Sequence, residues 1–226
     1  MSHILIITGG RVNIDFAKVY IKTLSFDKVF AVDKGLEYID ELGLIPDIII
    51  GDFDTVDSKV LKKYLIYFDE GKITSKIIRH PPRKNATDTE LAVVYAKEHE
   101  ADRVTILGAT GTRMDHVLSN LGLLIYAAQE HMECVIIDEC NRIRLLSSEY
   151  GINDCTIERN EQFGKYFSLI PISDYLTDVT MEGVEYPLDG ARVDRISSLT
   201  VSNEINEKTA HIHIGDGTAF LIESRD

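Results

Sequence analysis

Five short apolar runs in the first part of the chain each end near a glycine or a polar residue, and helical periodicity follows most of them. The runs cover residues 4–7, 29–32, 48–50, 76–78 and 104–107. Continuous runs of this length, rich in β-branched residues, suit strands that are buried on both faces of a sheet. Strand, turn and helix repeated in this order predict an N-terminal α/β domain with a doubly wound, mostly parallel sheet.

Apolar residues at helical spacing predict helices over the intervening segments, at residues 16–24, 36–42, 60–68 and 115–128, with one more that begins near Asp88. Gly43 is expected to end the second of these helices as its C-cap. The last helix carries Leu118, Leu121 and Ile125 on one face.

The pattern changes after about Met132, where long helical periods give way to short alternating runs separated by turn residues. Strands are expected at residues 166–170, 198–202, 211–214 and 219–222, with a tight turn at residues 215–217 between the last two. This part predicts a C-terminal antiparallel β-sandwich. The expected domains are therefore residues 1–131, α/β and catalytic, and residues 132–226, a β-sandwich.

Charge and composition exclude several functional classes. The net charge of −13 argues against a nucleic-acid-binding surface, which needs a basic patch, but it is compatible with nucleotide bound as its magnesium complex. The longest apolar runs are strand-sized, so we expect no membrane span. The start of the chain has no signal-peptide pattern, and three cysteines without metal-ligand spacing are typical of reduced thiols. We therefore expect a cytoplasmic protein.

Two carboxylates, Asp52 and Asp54, follow the run at residues 48–50, at the expected carboxyl end of a buried strand. Ligands bind at this edge of open α/β sheets, and Mg²⁺ is usually held by one or two carboxylates together with substrate phosphates. The alternative is that both residues only cap a turn or the following helix. By themselves they favour a cation site only slightly.

Further polar residues, Asp33 among them, follow other strands and would share the same edge. Thr87 is expected to cap a helix, and this role leaves Asp88, in its first turn, able to face a metal. Residues 108–113 contain glycine and open a helix, an arrangement that binds phosphate through backbone N–H groups. Arg113 strengthens that interpretation because a guanidinium can bind phosphate oxygens bidentately. Asp115 could be another helix cap, and His116 an ordinary surface imidazole.

Together these clusters indicate three or four carboxylates and an arginine around a metal–polyphosphate. Phosphoryl transfer depends mostly on positioning and on charge neutralisation, which this set could supply. The spacing does not separate transfer to an alcohol from hydrolysis.

An ordered set of motifs resembles the thiamine pyrophosphokinase family over nearly the whole chain. The motifs are Asp33-Lys34-Gly35, Gly51-Asp52-Phe53-Asp54, Thr87-Asp88-x-Glu90, Gly111-Thr112-Arg113-Met114-Asp115-His116 and Ser202-Asn203-Glu204. The resemblance implies an α/β catalytic domain followed by a β-sandwich. It also implies transfer of the β,γ-diphosphoryl group of ATP to the hydroxyl of thiamine, which releases AMP.

Residue roles follow from the resemblance alone. It implies that Mg²⁺ is held by Asp52, Asp54 and Asp88, that ATP is bound by Lys84, Thr87, Gly111 and Arg113, that the catalytic residues are Asp33, Arg113 and Asp115, and that thiamine is bound by Ser202 and Asn203. Arg113 would neutralise phosphate, and Asp115 would orient or deprotonate the attacking hydroxyl. The thiamine site would be completed across a homodimer.

The chain departs from the family pattern at two positions. Asn85 stands where the family usually has an aspartate, and Lys34 stands where many relatives have glycine. The leading hypothesis is an ATP-dependent thiamine diphosphokinase that needs Mg²⁺. The alternatives are a metal-dependent phosphohydrolase of a nucleotide or thiamine phosphate, and a non-catalytic nucleotide or thiamine sensor.

Overall fold

The computed structural model describes residues 1–80, 86–111 and 113–226. The chain divides into two compact units, Met1–Glu139 and Cys140–Asp226. The expected boundary after residue 131 precedes the strand Glu133–Ile137, which pairs in parallel with a strand of the first unit. The division observed in the structure therefore falls after this strand.

The first unit is built on a parallel sheet. Its strands are β1 (His3–Ile7), β2 (Lys28–Val32), β3 (Ile48–Gly51), β4 (Lys76–Arg79), β5 (Arg103–Leu107) and β6 (Glu133–Ile137). Their order is β6-β5-β1-β2-β3-β4, and all of the described pairings within this unit are parallel. The chain runs outward from β1 in one direction and then returns to its other side through β5. The predicted doubly wound sheet is confirmed, with its topological switch point between β1 and β5.

The α-helices that the structure describes beside this sheet are α1 (Ile14–Tyr20), α2 (Gly35–Leu42), α3 (Ser58–Asp69), α4 (Asp88–Glu98) and α5 (Met114–Gln129). Local sequence sets several of their ends. The Asp57 carboxylate accepts hydrogen bonds from the second and third residues of α3, and Thr87 Oγ1 accepts one from Glu90 N at 3.1 Å. Gly43 ends α2 in the left-handed region at φ 70°, as predicted.

The core of the first unit lies on the central strands. Residues 4–7 of β1 are fully buried, as are Phe30, Ile49 and Ile106 on neighbouring strands. A parallel strand with both faces covered needs such a continuous apolar run, which explains why β1 does not alternate. The first turns of α5 do not bury all of their apolar side chains, because Met114 and Leu118 are each 63% exposed.

The second unit is an antiparallel β-sandwich, as predicted. Its strands are β7 (Asn141–Ser147), β8 (Asp154–Glu158), β9 (Tyr166–Pro171), β10 (Tyr175–Glu182), β11 (Leu188–Asp194), β12 (Asn203–Glu204), β13 (Thr209–His213) and β14 (Thr218–Ser224). One layer has the order β12-β9-β14-β7 and the other β11-β10-β13-β8. Side chains from both layers, among them Phe167, Leu221, Leu176 and Ile212, form one buried cluster.

The strand predicted at residues 198–202 is wrong. These residues form turns, with Val201 N donating to Ser198 O at 3.1 Å and Ser202 at φ 57°. An alternating strand would bury its apolar residues, but here the polar Thr200 is buried, while the apolar Leu199 and Val201 are 53% and 44% exposed. Two hydrogen bonds with Leu169 hold Thr200 in place. Leu169 N donates to the Thr200 carbonyl at 3.1 Å, and the Thr200 hydroxyl donates to the Leu169 carbonyl at 2.5 Å.

Candidate functional site

A cleft of about 650 Å³ lies in the first unit, at the carboxyl ends of β1, β2, β3 and β5. Its described lining includes seven charged residues, namely Arg11, Asp33, Lys34, Asp52, Asp54, Asp88 and Arg113. The predicted Thr87 and Gly111 also line it. A larger depression of about 980 Å³ in the second unit is lined by none of the predicted site residues. The cleft is therefore the candidate active site.

The floor of the cleft is backbone, where the loops after β1 and β5 touch. A Cβ at Gly10 would overlap the carbonyl oxygen of Gly108, and Gly108 itself lies at φ 76°. Thr8 N donates to Leu107 O at 2.9 Å, which fixes the two strand ends together. Glycine at both positions lets the loops meet at the switch point and leaves their backbone open to a ligand.

Asp33 sits directly after β2 in a conformation that few non-glycine residues adopt, with φ 46°. Its N–H donates to Ile50 O at 2.9 Å, and its carbonyl accepts from Leu36 N at 3.0 Å. A Cβ at Gly51 would overlap Asp33 Oδ1, so the carboxylate packs over the glycine that ends β3. The fold thus turns Asp33 toward the loop that carries Asp52.

Asp52 and Asp54 lie together in that loop. Asp54 N donates to Asp52 Oδ1 at 3.1 Å, so Asp52 caps a turn, a contact that does not exclude a role at a metal. The helix-capping alternative is wrong for both residues, because Asp57 caps α3. Contact with Asp52, its negative charge and the charge of Asp88 raise the pKa of Asp54. The three carboxylates therefore crowd one another electrostatically, which a bound cation would relieve.

Arg113 and Asp115 form an ion pair at the start of α5. Nη2 of Arg113 lies 2.6 Å from Oδ2 of Asp115, and Nε lies 3.2 Å from Oδ1. This guanidinium, with help from the N–H of His116, lowers the pKa of the Asp115 carboxyl to about 2. Both side chains are well exposed, at 69% and 65%. Asp115 does not act as the helix N-cap, a position that Arg113 occupies.

The structure adds residues that sequence reasoning missed. Asn120, on α5, is buried at the cleft, and its Nδ2 donates to the carbonyl of Ala109 at 2.8 Å. It therefore holds the loop that leads to Arg113. Thr89, at the start of α4, donates to Thr8 Oγ1 at 3.4 Å beneath the same loops. A polar residue four positions after His116 on a helix is the sequence signal that could have identified Asn120.

The remaining predicted residues are Lys84, Ser202 and Asn203. Lys84, together with Asn85 and Thr112, lies outside the described residues. Ser202 and Asn203 belong to the second unit, where Ser202 is exposed and Asn203 is 2% exposed. The Asn203 amide is fully used within the protein: Oδ1 accepts from Tyr186 N and Glu204 N, and Nδ2 donates to Tyr186 O and Met181 Sδ.

Comparison with known proteins agrees with this geometry. Residues 22–136 match the family model described as thiamin pyrophosphokinase, catalytic domain, and residues 154–218 match thiamin pyrophosphokinase, vitamin B1 binding domain. Thiamine pyrophosphokinase from Bacillus subtilis (strain 168) is 30% identical over 196 residues, which are 86% of each chain. Thiamin pyrophosphokinase 1 from Caenorhabditis elegans is 24% identical over 79% of this chain and 70% of its own.

Solved structures give the same result. The crystal structure of thiamine pyrophosphokinase from Bacillus subtilis superimposes with a TM-score of 0.86 at 27% identity, and the match covers all of both chains. The enzyme from Geobacillus thermodenitrificans superimposes with a TM-score of 0.82, also at 27% identity, over 99% of this chain and 98% of its own.

The parallel sheet, its backbone-floored cleft and the opposed carboxylates and arginines define an α/β enzyme that handles phosphate. One family model matches most of the first unit, and the other, for the vitamin B1 binding domain, matches most of the second. The chain belongs to the thiamine pyrophosphokinase family, whose members are ATP-dependent transferases that move pyrophosphate from ATP to thiamine. The predicted transferase function is confirmed, and the phosphohydrolase alternative is not supported. No helix in the described part of the chain is long and apolar enough to cross a membrane.

Proposed function

We propose that the cleft binds ATP as its Mg²⁺ complex and that the chain transfers the β,γ-diphosphoryl group to thiamine. The observation that carries this proposal is the convergence of Asp52, Asp54 and Asp88 with Arg113 in one cleft. The thiamine oxygen forms a bond to the β-phosphorus of ATP. The bond from that phosphorus to the oxygen bridging the α- and β-phosphates breaks, and AMP leaves.

The chemistry of the carboxylates fits Mg²⁺. All three offer hard oxygen ligands. The side-chain contact with Asp52, followed by the like charge of Asp52, raises the pKa of Asp54, and a cation would relieve the repulsion. Among the described residues, no three acidic, histidine or cysteine side chains form a ready-made metal site. Protein-bound Mg²⁺ usually takes part of its shell from substrate phosphates, so we propose that the metal arrives with the nucleotide. When bound, the ion would supply charge neutralisation at the phosphates.

Arg113 and Asp115 would divide the remaining work. Arg113 keeps its charge and offers paired N–H donors, which suit phosphate oxygens. Asp115 accepts hydrogen bonds and can hold the thiamine hydroxyl in line with the β-phosphorus. A carboxylate with a pKa of about 2 is a weak base, so orientation is the better supported role. A loose phosphoryl-transfer transition state needs little proton removal before the bond forms.

The other residues would position these groups. Asp33 packs over Gly51 and fixes the loop that carries the metal-binding carboxylates. Gly111 presents backbone to the phosphates at the opening of α5. The Thr87 hydroxyl accepts a helix hydrogen bond and can still donate its own proton to ATP. Lys84 stays a prediction for ATP binding.

Thiamine would be recognised by the second unit through Ser202. Ser202 is exposed in the left-handed region, and its N–H is held by Ser168 Oγ at 3.0 Å, which leaves its hydroxyl available to a ligand. Because all four hydrogen-bonding positions of the Asn203 amide are occupied, we assign Asn203 to positioning this segment.

A homodimer with a shared thiamine site accounts for two groups of exposed apolar side chains. The segment before Ser202 exposes Ile196, Leu199 and Val201, and α5 exposes Met114 and Leu118. Single exposed apolar residues are ordinary, but groups of them near functional residues are typical of interaction surfaces. A cytoplasmic location stays a prediction from the sequence.

The reaction is tested by mass spectrometry of products formed from ATP, Mg²⁺ and thiamine. We expect thiamine diphosphate and AMP in equal amounts, with AMP absent when thiamine is omitted. Asp54→Asn should lose most turnover, while Asp69→Asn, an exposed carboxylate at the end of α3, should retain it. Phosphate release without thiamine, or full activity in Asp54→Asn, would contradict the proposal.

The shared site is tested by mixing two inactive variants. Asp54→Asn damages the first unit, and Ser202→Arg blocks the second. If the site joins units of different subunits, a mixed dimer contains one intact site, so random mixing restores roughly a quarter of wild-type activity. If each chain holds a complete site, mixing restores nothing. Light scattering on the wild-type protein measures the dimer directly.

A further inference from the structure

We infer that Arg11 is a second phosphate-binding residue, which acts with Arg113 from the opposite side of the crevice between β1 and β5. This inference rests on the proposed binding of ATP. The motif resemblance assigns Arg11 no role. The inference rests on three observations: the position of Arg11 on the loop after β1, its loose pairing with Glu139, and the arrangement of charges along the cleft.

The loops that carry Arg11 and Arg113 pack against each other through backbone atoms. Arg11 follows Gly10, whose Cα packs against Gly108, and a Cβ at Gly111 would lie 3.7 Å from Arg11 N. Both arginines line the same cleft. They therefore flank the glycine floor at the topological switch point, where an anionic ligand can approach backbone N–H groups closely.

Arg11 is more available to a ligand than Arg113. Its side chain is 76% exposed, and its nearest described acidic partner is Glu139, with Oε1 at 3.8 Å from Nη2. That separation is too long for a hydrogen bond, so the pair is a loose electrostatic contact. Arg113, in contrast, donates two hydrogen bonds to the Asp115 carboxylate, at 2.6 Å and 3.2 Å. Binding of a phosphate to the Arg11 guanidinium would therefore disrupt fewer contacts within the protein than binding to Arg113.

The charged side chains along the cleft are partly separated by strand, with Lys34 after β2 and Asp115 beside Arg113 as the exceptions. The carboxylates Asp33, Asp52 and Asp54 follow β2 and β3, while Arg11 and Arg113 follow β1 and β5. A triphosphate held through a cation at the first group would extend toward the second, since neighbouring strands are roughly 5 Å apart. The polyphosphate chain of a nucleoside triphosphate is the ligand that fits such a pair of opposite sites.

The test compares two arginine–glutamate pairs that carry the same charges at opposite ends of the sheet. Arg103, at the first residue of β5, pairs with Glu133 at 2.7 Å and lies away from the carboxyl edge. Arg11→Ala should raise the KM for ATP about tenfold and leave the KM for thiamine unchanged, as expected for one lost charge-assisted contact. Arg103→Ala, which removes the same net charge, should leave both KM values unchanged.

Calorimetry with Mg²⁺-ATP and with adenosine separates phosphate contact from contact with the base. Arg11→Ala should weaken ATP binding but not adenosine binding, and it should reduce the dependence of ATP affinity on salt concentration. Arg11→Lys should recover part of the affinity, because charge returns without the paired donors. Glu139→Gln should tighten ATP binding more than Glu133→Gln does.

Several results would overturn the inference: unchanged ATP affinity in Arg11→Ala, equal losses in Arg11→Ala and Arg103→Ala, or an equal loss of adenosine binding. The proposed function fails separately, if the wild type forms no AMP in the presence of thiamine. In that case, calorimetry on Mg²⁺-ATP still decides the role of Arg11. Circular dichroism on each variant checks that its fold is retained.

Discussion

Arg113 pairs with Asp115 through two hydrogen bonds, of 2.6 Å and 3.2 Å, from its guanidinium to the carboxylate. Both side chains are assigned to substrates, so both contacts must loosen or be shared when ATP and thiamine bind. The pair is exposed, and exposed ion pairs contribute little to stability. The ion pair therefore keeps both groups together and ionised, and separating them when substrates bind costs little stability.

This geometry predicts different kinetic effects for the two residues. Arg113→Lys should lower kcat/KM about tenfold or more although charge is kept, because an ammonium lacks the bidentate fork. Asp115→Asn should lower kcat with little change in ATP affinity, since it acts on the attacking hydroxyl. Steady-state AMP release and ATP binding measure both. If Arg113→Lys behaves like the wild type while Asp115→Asn abolishes ATP binding, the roles are reversed.

The ion pair also predicts the titration of Asp115. The guanidinium holds the carboxyl pKa at about 2, so Asp115 should stay ionised in the ligand-free protein throughout the range above pH 3. In Arg113→Ala, that pKa should rise toward the ordinary value of 3.8. Carbon-13 NMR of labelled aspartate follows this group, with Asp115→Asn identifying its signal. An unchanged pKa in Arg113→Ala would mean that the two side chains do not pair in solution.

Most of the candidate site could be predicted from local pattern. The apolar runs placed the strands, and parallel strands bring the residues that follow them to one edge, so Asp33, Asp52 and Asp54 were predicted to meet. The Thr87 cap and the Gly43 helix end are local signals that the structure confirms.

What the sequence did not predict depends on contacts between distant residues. Asn120 is functional because the fold buries it against Ala109, and nothing in its helical neighbourhood requires that burial. The error at residues 198–202 has the same cause, because Leu169 binds Thr200 and reverses which residues face inward. The Arg113–Asp115 pair was also missed, since Arg113 was interpreted only toward phosphate and Asp115 only toward a substrate or as a helix cap.

Ser202 and Asn203 are predicted to fail in different ways although they are adjacent. Ser202→Ala should raise the KM for thiamine about threefold to tenfold and leave the KM for ATP unchanged, because one ground-state contact is lost. Asn203→Ala should instead destabilise the second unit by about 1–3 kcal/mol, since Tyr186 and Glu204 lose buried hydrogen-bond partners.

Thermal unfolding and thiamine kinetics together separate these two outcomes. Ser198→Ala serves as the control, since it removes an exposed hydroxyl from the same segment. If Asn203→Ala is as stable as the wild type and only its thiamine KM rises, Asn203 contacts thiamine directly and the positioning role is wrong.

The last prediction concerns a buried carboxylate in the second unit. Glu223, on β14, is 1% exposed and binds Arg142 at 2.6 Å and Arg144 at 2.8 Å. Burial by itself would raise the pKa of Glu223, but the hydrogen bond from Arg142 and the charges of both arginines lower it below its ordinary value of 4.5. Removing this charge leaves two partly buried guanidinium groups without their shared partner.

Glu223→Gln should therefore destabilise the protein at neutral pH by about 3 kcal/mol, at the lower end for a broken buried pair because the arginines stay a quarter exposed. A depressed pKa in the folded state stabilises above the unfolded value of 4.5, and this contribution disappears as pH falls through the lower folded value. The difference in unfolding free energy between wild type and Glu223→Gln should thus shrink steadily below pH 4.5. Urea unfolding from pH 7 to pH 3 measures it, and Glu161→Gln, an exposed neighbour in the same unit, controls for net charge. A difference that stays constant over this range would show that packing, not the ionised carboxylate, explains the loss.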